Sequence, residues 1–193
     1  MDSNKCSCKH SSHPPDGVAA LAAAVDILAN EDRTKLDATA RAERILTLRQ
    51  LLDRLDGHWL MELAEVDARG AAGADQGLPA ASTASWLRNR LRMGANAASS
   101  CVRTARALFR GPLTSTAQAL CAGELSAAHA AALAHGTSDL PTQVAAEAEP
   151  ELVEAARHLD PPRLRRAVEH LRQAIDPEGA NRDSERRHQR RWL

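Results

Sequence analysis

The chain has 193 residues, in which 25 Lys and Arg are balanced by 25 Asp and Glu, so its formal net charge at pH 7 is zero. Alanine supplies much of the hydrophobic content, and aromatic residues make up only 2%. Alanine has the highest helix propensity, whereas strands are rich in β-branched and aromatic side chains. The composition therefore predicts an all-α protein, a multi-helix bundle with one long N-terminal helix and several short helical hairpins.

Membrane and secreted classes are disfavoured by the sequence. No segment approaches the run of about 18 apolar residues that would span a bilayer, and the N-terminus lacks a signal-peptide pattern. The four cysteines follow no regular spacing, which fits a reducing compartment better than a disulfide framework. We expect a cytoplasmic protein with no membrane contact.

Residues 1–15 are polar, end in two prolines and are predicted to form a disordered leader. They include four side chains whose ligand types suit Zn²⁺ or Cu: Cys6, Cys8, His10 and His13. A single residue between the cysteines makes a cramped chelate, and no hydrophobic cluster holds the segment. We therefore favour a mobile leader over a metal site and expect no cofactor.

Two helices are predicted next, at the start of a helical domain spanning residues 16–180. Asp16 is placed to cap the first. The second is the clearest element of the sequence and runs from about Asp37 to Arg69, with Gly57 as a possible bend. Apolar residues recur along it at steps of three and four, which forms a continuous seam: Ile45, Leu48, Leu52, Leu55, Trp59, Leu63 and Val66. The preferred interpretation is a core helix of the bundle, and the alternative is a homo-oligomer formed through the Ile45–Val66 helix.

Shorter helices follow a loop over residues 70–79. Ser82 or Thr83 is expected to cap the first of them and Gly94 to close it. A helical hairpin is expected after Pro112, and its first helix is expected to end at Gly123.

The second helix of the hairpin is expected to begin at Ser126, which serves as its N-cap. Pro150 is expected to begin a second segment, and Asp160 to cap a last helix that has Pro at its first position.

The charge map gives the functional expectation. From Gln76 to Gly123 there is no Asp or Glu, while six arginines occur there. On the helix after Gly94, polar and cationic residues fall within an arc of about 80° at 100° per residue, opposite an apolar face. Because the guanidinium fork binds phosphate oxygens well, these residues are predicted to contact duplex DNA: Arg88, Arg92, Asn96, Ser99, Arg103, Arg106 and Arg110.

Other interpretations of the same region remain open. The arginines could be solvated, or paired with the acidic patch formed by Glu147, Glu149, Glu151 and Glu154. The hairpin around Gly123 carries the small residue and the turn glycine of a helix-turn-helix motif, but Gln118, Glu124 and His129 occupy positions that call for apolar side chains. Cys121 and His129 resemble a nucleophile–base pair without an orienting third group.

Four segments resemble one family in their order along the chain. They are "STASWLRNRLRMGANAASSCVRTARAL", "PLTSTAQALCAGELSAAHAAALA", "ELVEAARHLDPPRLRRAVEHLRQAIDPEG" and "RDSERRHQRRWL". Together they are similar to the N-terminal domain of the actinobacterial 13E12-repeat proteins, the domain of unknown function numbered 222. The resemblance covers roughly residues 40–193.

In that family the helical domain usually precedes a short strand-containing segment and a His-Asn-His endonuclease module with metal-binding histidines. The resemblance implies that this chain is a short member without the nuclease, with residues 181–193 as the stub of the region that follows. We expect no catalytic residues and a DNA-binding or DNA-positioning role. The alternatives are a protein–protein module and a degenerate remnant of a mobile element.

Overall fold

The computed structural model describes residues 16–75 and 80–175, and within these ranges every regular element is an α helix. The prediction of an all-α, multi-helix fold is confirmed. The predicted leader (1–15) and the predicted stub (181–193) lie outside the described residues. The helices are α1 (Gly17–Asn30), α2 (Ala38–Ala68), α3 (Thr83–Leu91), α4 (Ala95–Phe109), α5 (Thr114–Ala122), α6 (Ala127–Gly136), α7 (Thr142–His158) and α8 (Pro161–Ile175).

The chain divides between Glu43 and Arg44 into two compact units, and this boundary falls inside the single domain predicted for 16–180. The first unit contains α1, which begins where the sequence predicts, because the carboxylate of Asp16 accepts a hydrogen bond from the backbone N–H of Val18. No residue of α1 is buried. The second unit contains most of α2 and all of α3 to α8, and it holds the hydrophobic core.

The core of the second unit is built from leucines and alanines. Its fully buried large side chains include Leu87 of α3, Leu108 of α4 and Leu133 of α6. Small residues allow close approach between helices: a Cβ added to Gly136 of α6 would lie 2.2 Å from Cγ1 of Val168 on α8. α6 thus packs directly on α8, while α4 packs on α3, α5 and α6.

The long helix is confirmed, but its buried side is not the predicted seam. The buried residues of α2 are Asp53, Gly57, Leu60, Leu63 and Ala64. At 100° per residue, most of this set lies about a third of a turn from the line through Ile45 and Trp59. Only Leu63 belongs to both faces. The helix is also continuous through Gly57, where the sequence suggested a bend.

Most predicted helix ends are confirmed. The hydroxyl of Ser82 accepts from the N–H of Ser85 at 3.1 Å and caps α3. Gly123 ends α5 in the left-handed conformation, with φ of 78°. Ser126 caps α6, and Asp160 accepts from the N–H of Arg163 at 2.8 Å at the start of α8.

Two predicted boundaries are wrong. Arg92, and not Gly94, ends α3 in the left-handed conformation with φ of 55°, and Gly94 is instead the N-cap of α4. Pro150 does not begin a new segment but lies inside α7. Proline removes the hydrogen bond to the carbonyl four residues earlier, and here both Pro150 and Ala146 are exposed, so water can satisfy that carbonyl.

Candidate nucleic-acid interface

The polar stripe of α4 lies on the protein surface. Asn96, Ser99, Arg103 and Arg106 are exposed, as is Arg110 at the C-cap. The opposite face carries the buried residues of the helix: Ala98, Val102, Thr104, Ala105 and Leu108. Arg88 of α3 and Arg92 at its C-cap are exposed as well. All seven predicted contact residues are therefore accessible to solvent.

Arg106 is held by a carboxylate from α2. Its Nε and Nη2 atoms donate to Asp67 at 2.6 and 2.9 Å, a two-bond geometry of the strong, charge-assisted kind. Asp67 also accepts from the hydroxyl of Thr83 at 2.7 Å, so it joins α2 to both α3 and α4. The hydrogen bonds from Arg106 hold the pKa of Asp67 below its usual value, and those to Asp67 raise the pKa of Arg106.

Two further arginines of the acid-free segment pair with carboxylates that lie outside it. Arg110 donates to Glu65 of α2, which also meets Arg69 at 3.2 Å. Arg90 donates through Nε to Asp75 at 2.7 Å, and that carboxylate also accepts from the indole N–H of Trp86 at 2.7 Å. The two contacts of Asp75 join the loop after α2 to α3.

The acidic patch on α7 does not neutralise these arginines. The carboxylate of Glu149 is buried and accepts from the backbone N–H of Thr116 at 2.7 Å, at the start of α5. Glu154 instead pairs with Arg157 of its own helix at 2.7 Å and with His158 at 3.1 Å. Two arginines of the polar stripe on α4, Arg106 and Arg110, are thus neutralised by carboxylates of α2 and not by those of α7.

Arg88, Arg92 and Arg103 differ from the other arginines of this surface. None of the three side chains forms an ion pair or hydrogen bond with any residue of 16–75 or 80–175, and all three residues are exposed. They are the cations that this surface can offer to an external anion without first breaking an internal pair.

The start of α4 adds hydrogen-bond donors to the same surface. Its N-cap is Gly94, which has no side chain to cap the first backbone N–H groups. Such groups attract anions at a helix N-terminus. Arg92 precedes this end and Asn96 lies in the first turn. A guanidinium, a side-chain amide and the first backbone N–H groups of α4 therefore lie within a few residues of one another.

The hairpin of α5 and α6 has the character of a packing element. Four residues of α6 are buried, and the helix contains no Arg, Lys, Asn or Gln to contact base edges. His129 is used structurally: its Nδ1 faces the N–H of Ser126 at 3.4 Å, and its Nε2 lies 2.9 Å from the carbonyl oxygen of Leu159. Both ring nitrogens are thus engaged in contacts that hold α6 to its own N-cap and to the end of α7.

Cys121 is not arranged as a nucleophile. Burial raises the pKa of its thiol, which disfavours the reactive thiolate. Within the described ranges, no three His, Cys, Asp or Glu side chains are grouped to hold a metal ion. No helix there has the length and apolar character needed to cross a bilayer. The predicted leader cluster of Cys6, Cys8, His10 and His13 lies outside those ranges.

Comparison with protein families assigns most of the chain to one family. The model of the domain of unknown function DUF222 matches residues 39–193, which is most of the chain. The chain belongs to the DUF222 family. The match begins at the start of α2, so the arginine-bearing helices and the carboxylates of α2 that pair with them all belong to the DUF222 region. No curated protein and no solved structure matches the chain.

Proposed function

We propose that this chain is a non-catalytic helical module that binds duplex DNA through the surface formed by α3 and α4. The observation that carries the proposal is the exposure of Arg88, Arg92 and Arg103 without a carboxylate partner among the described residues. Arginine contacts to phosphate give affinity with little sequence preference. The module would position DNA, as expected for the domain that precedes an endonuclease in the family the sequence resembles.

The ion pairs of this surface change the expected strength of binding. Six arginines on phosphates would give a slope of about −5 in log K against log salt. Arg90, Arg106 and Arg110 are already paired, so we expect about three phosphate contacts and a slope of about −2.7. Affinity should then fall about 40-fold between 50 and 200 mM salt.

The proposal places the protein in the cytoplasm, where DNA meets a reducing environment. Cys101 and Cys121 are free thiols, and burial raises the pKa of both. Free, protonated thiols are typical of proteins in a reducing compartment, where disulfides rarely form.

The test is fluorescence anisotropy of a labelled DNA duplex titrated with the full chain over a salt series. A variant with Arg88→Ala and Arg103→Ala should weaken binding and reduce the magnitude of the slope by about 2. The matched control is Arg165→Ala with Arg166→Ala, which removes the same charge from exposed positions of α8. Equal effects of the two pairs, or no binding at about 50 mM salt, would refute the proposal.

A second candidate function is self-association through α2. The observation that favours it is the exposure of the predicted seam: Ile45 is 66% exposed, Leu52 51% and Trp59 38%. Apolar residues aligned on one helix face and left in water are typical of a surface that pairs with another helix.

A further inference from the structure

The connection between α3 and α4 extends beyond the hydrophobic core. Leu87 is the last buried residue of α3, and Ala98 is the first buried residue of α4. None of the residues from 88 to 97 is buried, and all of them except Met93 are exposed. We call residues 88–97 the α3–α4 corner. Its exposure leaves it open to contact with another molecule.

Leu91 places a large apolar side chain on this corner. It comes four residues after Leu87, which puts it about 40° away on the side of α3 that faces the core. Leu87 is fully buried, whereas Leu91 is 52% exposed, because the core ends within one helical turn. Of the large apolar side chains that the structure describes in α3 to α7, only that of Leu91 is exposed. The exposed leucine is therefore an exception in these helices.

The charges around Leu91 favour an anionic partner. Arg88 lies three residues before Leu91, at a neighbouring position on the helix surface, and Arg92 follows it directly. Neither guanidinium has a carboxylate partner in the part of the chain that the structure describes. The sequence of the corner contains no Asp or Glu. A partner thus meets an apolar side chain between two unpaired cations.

Duplex DNA offers the complementary arrangement. Phosphates border both sides of the minor groove, and the faces of the stacked base pairs between them are apolar. Proteins that bind this groove often insert an apolar side chain such as Leu between two base pairs, and they contact the groove with Arg or Asn.

The corner is also built for a close approach. Gly94, Ala95 and Ala97 have at most a methyl side chain. No atom of the described chain lies within 4 Å of a Cβ added to Gly94. The backbone of the corner can therefore come near the groove without displacing bulky side chains of its own.

We infer that Leu91 enters the minor groove of duplex DNA as a wedge that partly separates two adjacent base pairs and bends the duplex. This inference rests on the DNA binding proposed above and adds its mode. Arg88 and Arg92 bind phosphates on either side of the separated step, and Asn96 donates to base acceptors in the groove. A wedge of this kind bends DNA by about 20–90°. Pyrimidine–purine steps such as TA unstack most easily, so the protein should favour them.

Ring closure of a short duplex by DNA ligase tests the wedge, because it detects bending wherever the protein binds. A fragment of about 100 bp is shorter than the persistence length of about 150 bp and closes poorly by itself. The full wild-type chain should raise the yield of circles at least about tenfold. Leu91→Ala should lose this gain but keep the wild-type salt slope in the anisotropy titration, because its arginines are unchanged. Leu91→Met should retain the gain, since it keeps a large apolar side chain.

The matched control is Leu46→Ala, which removes the same side chain from a position of α2 that is 71% exposed. This variant should close rings as the wild type does, and circular dichroism should show equal helix content in all variants. DNA binding without ring closure by the wild type, or undiminished ring closure by Leu91→Ala, would overturn the wedge and leave the proposed function intact. Absence of DNA binding would overturn both. A change in sedimentation of Leu91→Ala without DNA would assign Leu91 to a contact between protein chains and would also overturn the wedge.

Discussion

Gly57 of α2 lies against Cys121 of α5 so closely that a Cβ added to the glycine would be 2.9 Å from the cysteine Sγ. The same atom would lie 3.1 Å from the Cα and the backbone N of Cys121. The sequence suggested a bend at this glycine, but the helix is continuous through it, and the missing side chain makes room for Cys121. The contact sets the separation of the two helices.

Gly57→Ala should therefore destabilise the protein although alanine is the better helix former. Helix propensity would favour alanine by about 1 kcal/mol, while overpacking costs about 1–3 kcal/mol and the backbone of Cys121 cannot move out of the way easily. Urea unfolding should show a net loss. Cys121→Ala in the same chain should recover part of it, because it removes the Sγ contact. A Gly57→Ala variant as stable as the wild type would contradict the close contact.

The ion pair between Asp67 and Arg106 should make the free energy of unfolding depend on pH in the acidic range. The pKa of Asp67 is below its unfolded value of about 3.9. Its contribution is therefore complete above that value and is lost as the pH falls through the folded pKa. At pH 7, Asp67→Asn should lower the free energy of unfolding by about 1 kcal/mol, since Arg106 is largely exposed.

The difference in free energy of unfolding between the wild type and Asp67→Asn should become smaller as the pH falls below about 4. Urea unfolding of both proteins at pH 7 and at pH 3 measures it. A difference that stays constant with pH would show that the carboxylate charge is not what stabilises this junction of α2, α3 and α4.

Arg92→Gly should separate stability from DNA binding. Arg92 adopts a φ of 55°, a conformation that glycine adopts freely and that costs other residues about 1 kcal/mol. The variant should be more stable by about that amount, yet bind DNA more weakly and with a salt slope smaller by about 1. Asn89→Gly, at an exposed helical position of α3, should instead lose roughly 0.3 kcal/mol and leave binding unchanged. Unchanged DNA affinity in Arg92→Gly would remove this residue from the interface.

Glu149 should be a strong determinant of stability. Its side chain is almost fully buried, with the residue only 3% exposed, and it accepts from the N–H of Thr116 at the positive end of α5. Glu149→Ala removes a helix cap and leaves a buried N–H without a partner, at a cost of about 2 kcal/mol. Glu151→Ala, at an exposed position of the same helix, should change the free energy of unfolding by less than about 0.5 kcal/mol. Similar losses in both variants would contradict the capping role.

The sequence by itself determined the helical class, most helix ends and the polar face of α4. These features depend on interactions within a few residues, such as the cap at Ser126 or the spacing that puts Arg103 opposite Ala105. Membership of the DUF222 family was likewise evident from the order of the local motifs.

Only the tertiary structure decided which charges remain free and which face of α2 is buried. Arg106 and Asp67 are 39 residues apart, and no local pattern indicates that they meet. Most of the predicted apolar seam of α2 stays outside the core, because periodicity alone does not say which side of a helix the core covers. Gly57 lies on the buried side of α2, where the absence of a side chain allows a close approach to Cys121, and Ile45, Leu52 and Trp59 remain exposed on another side.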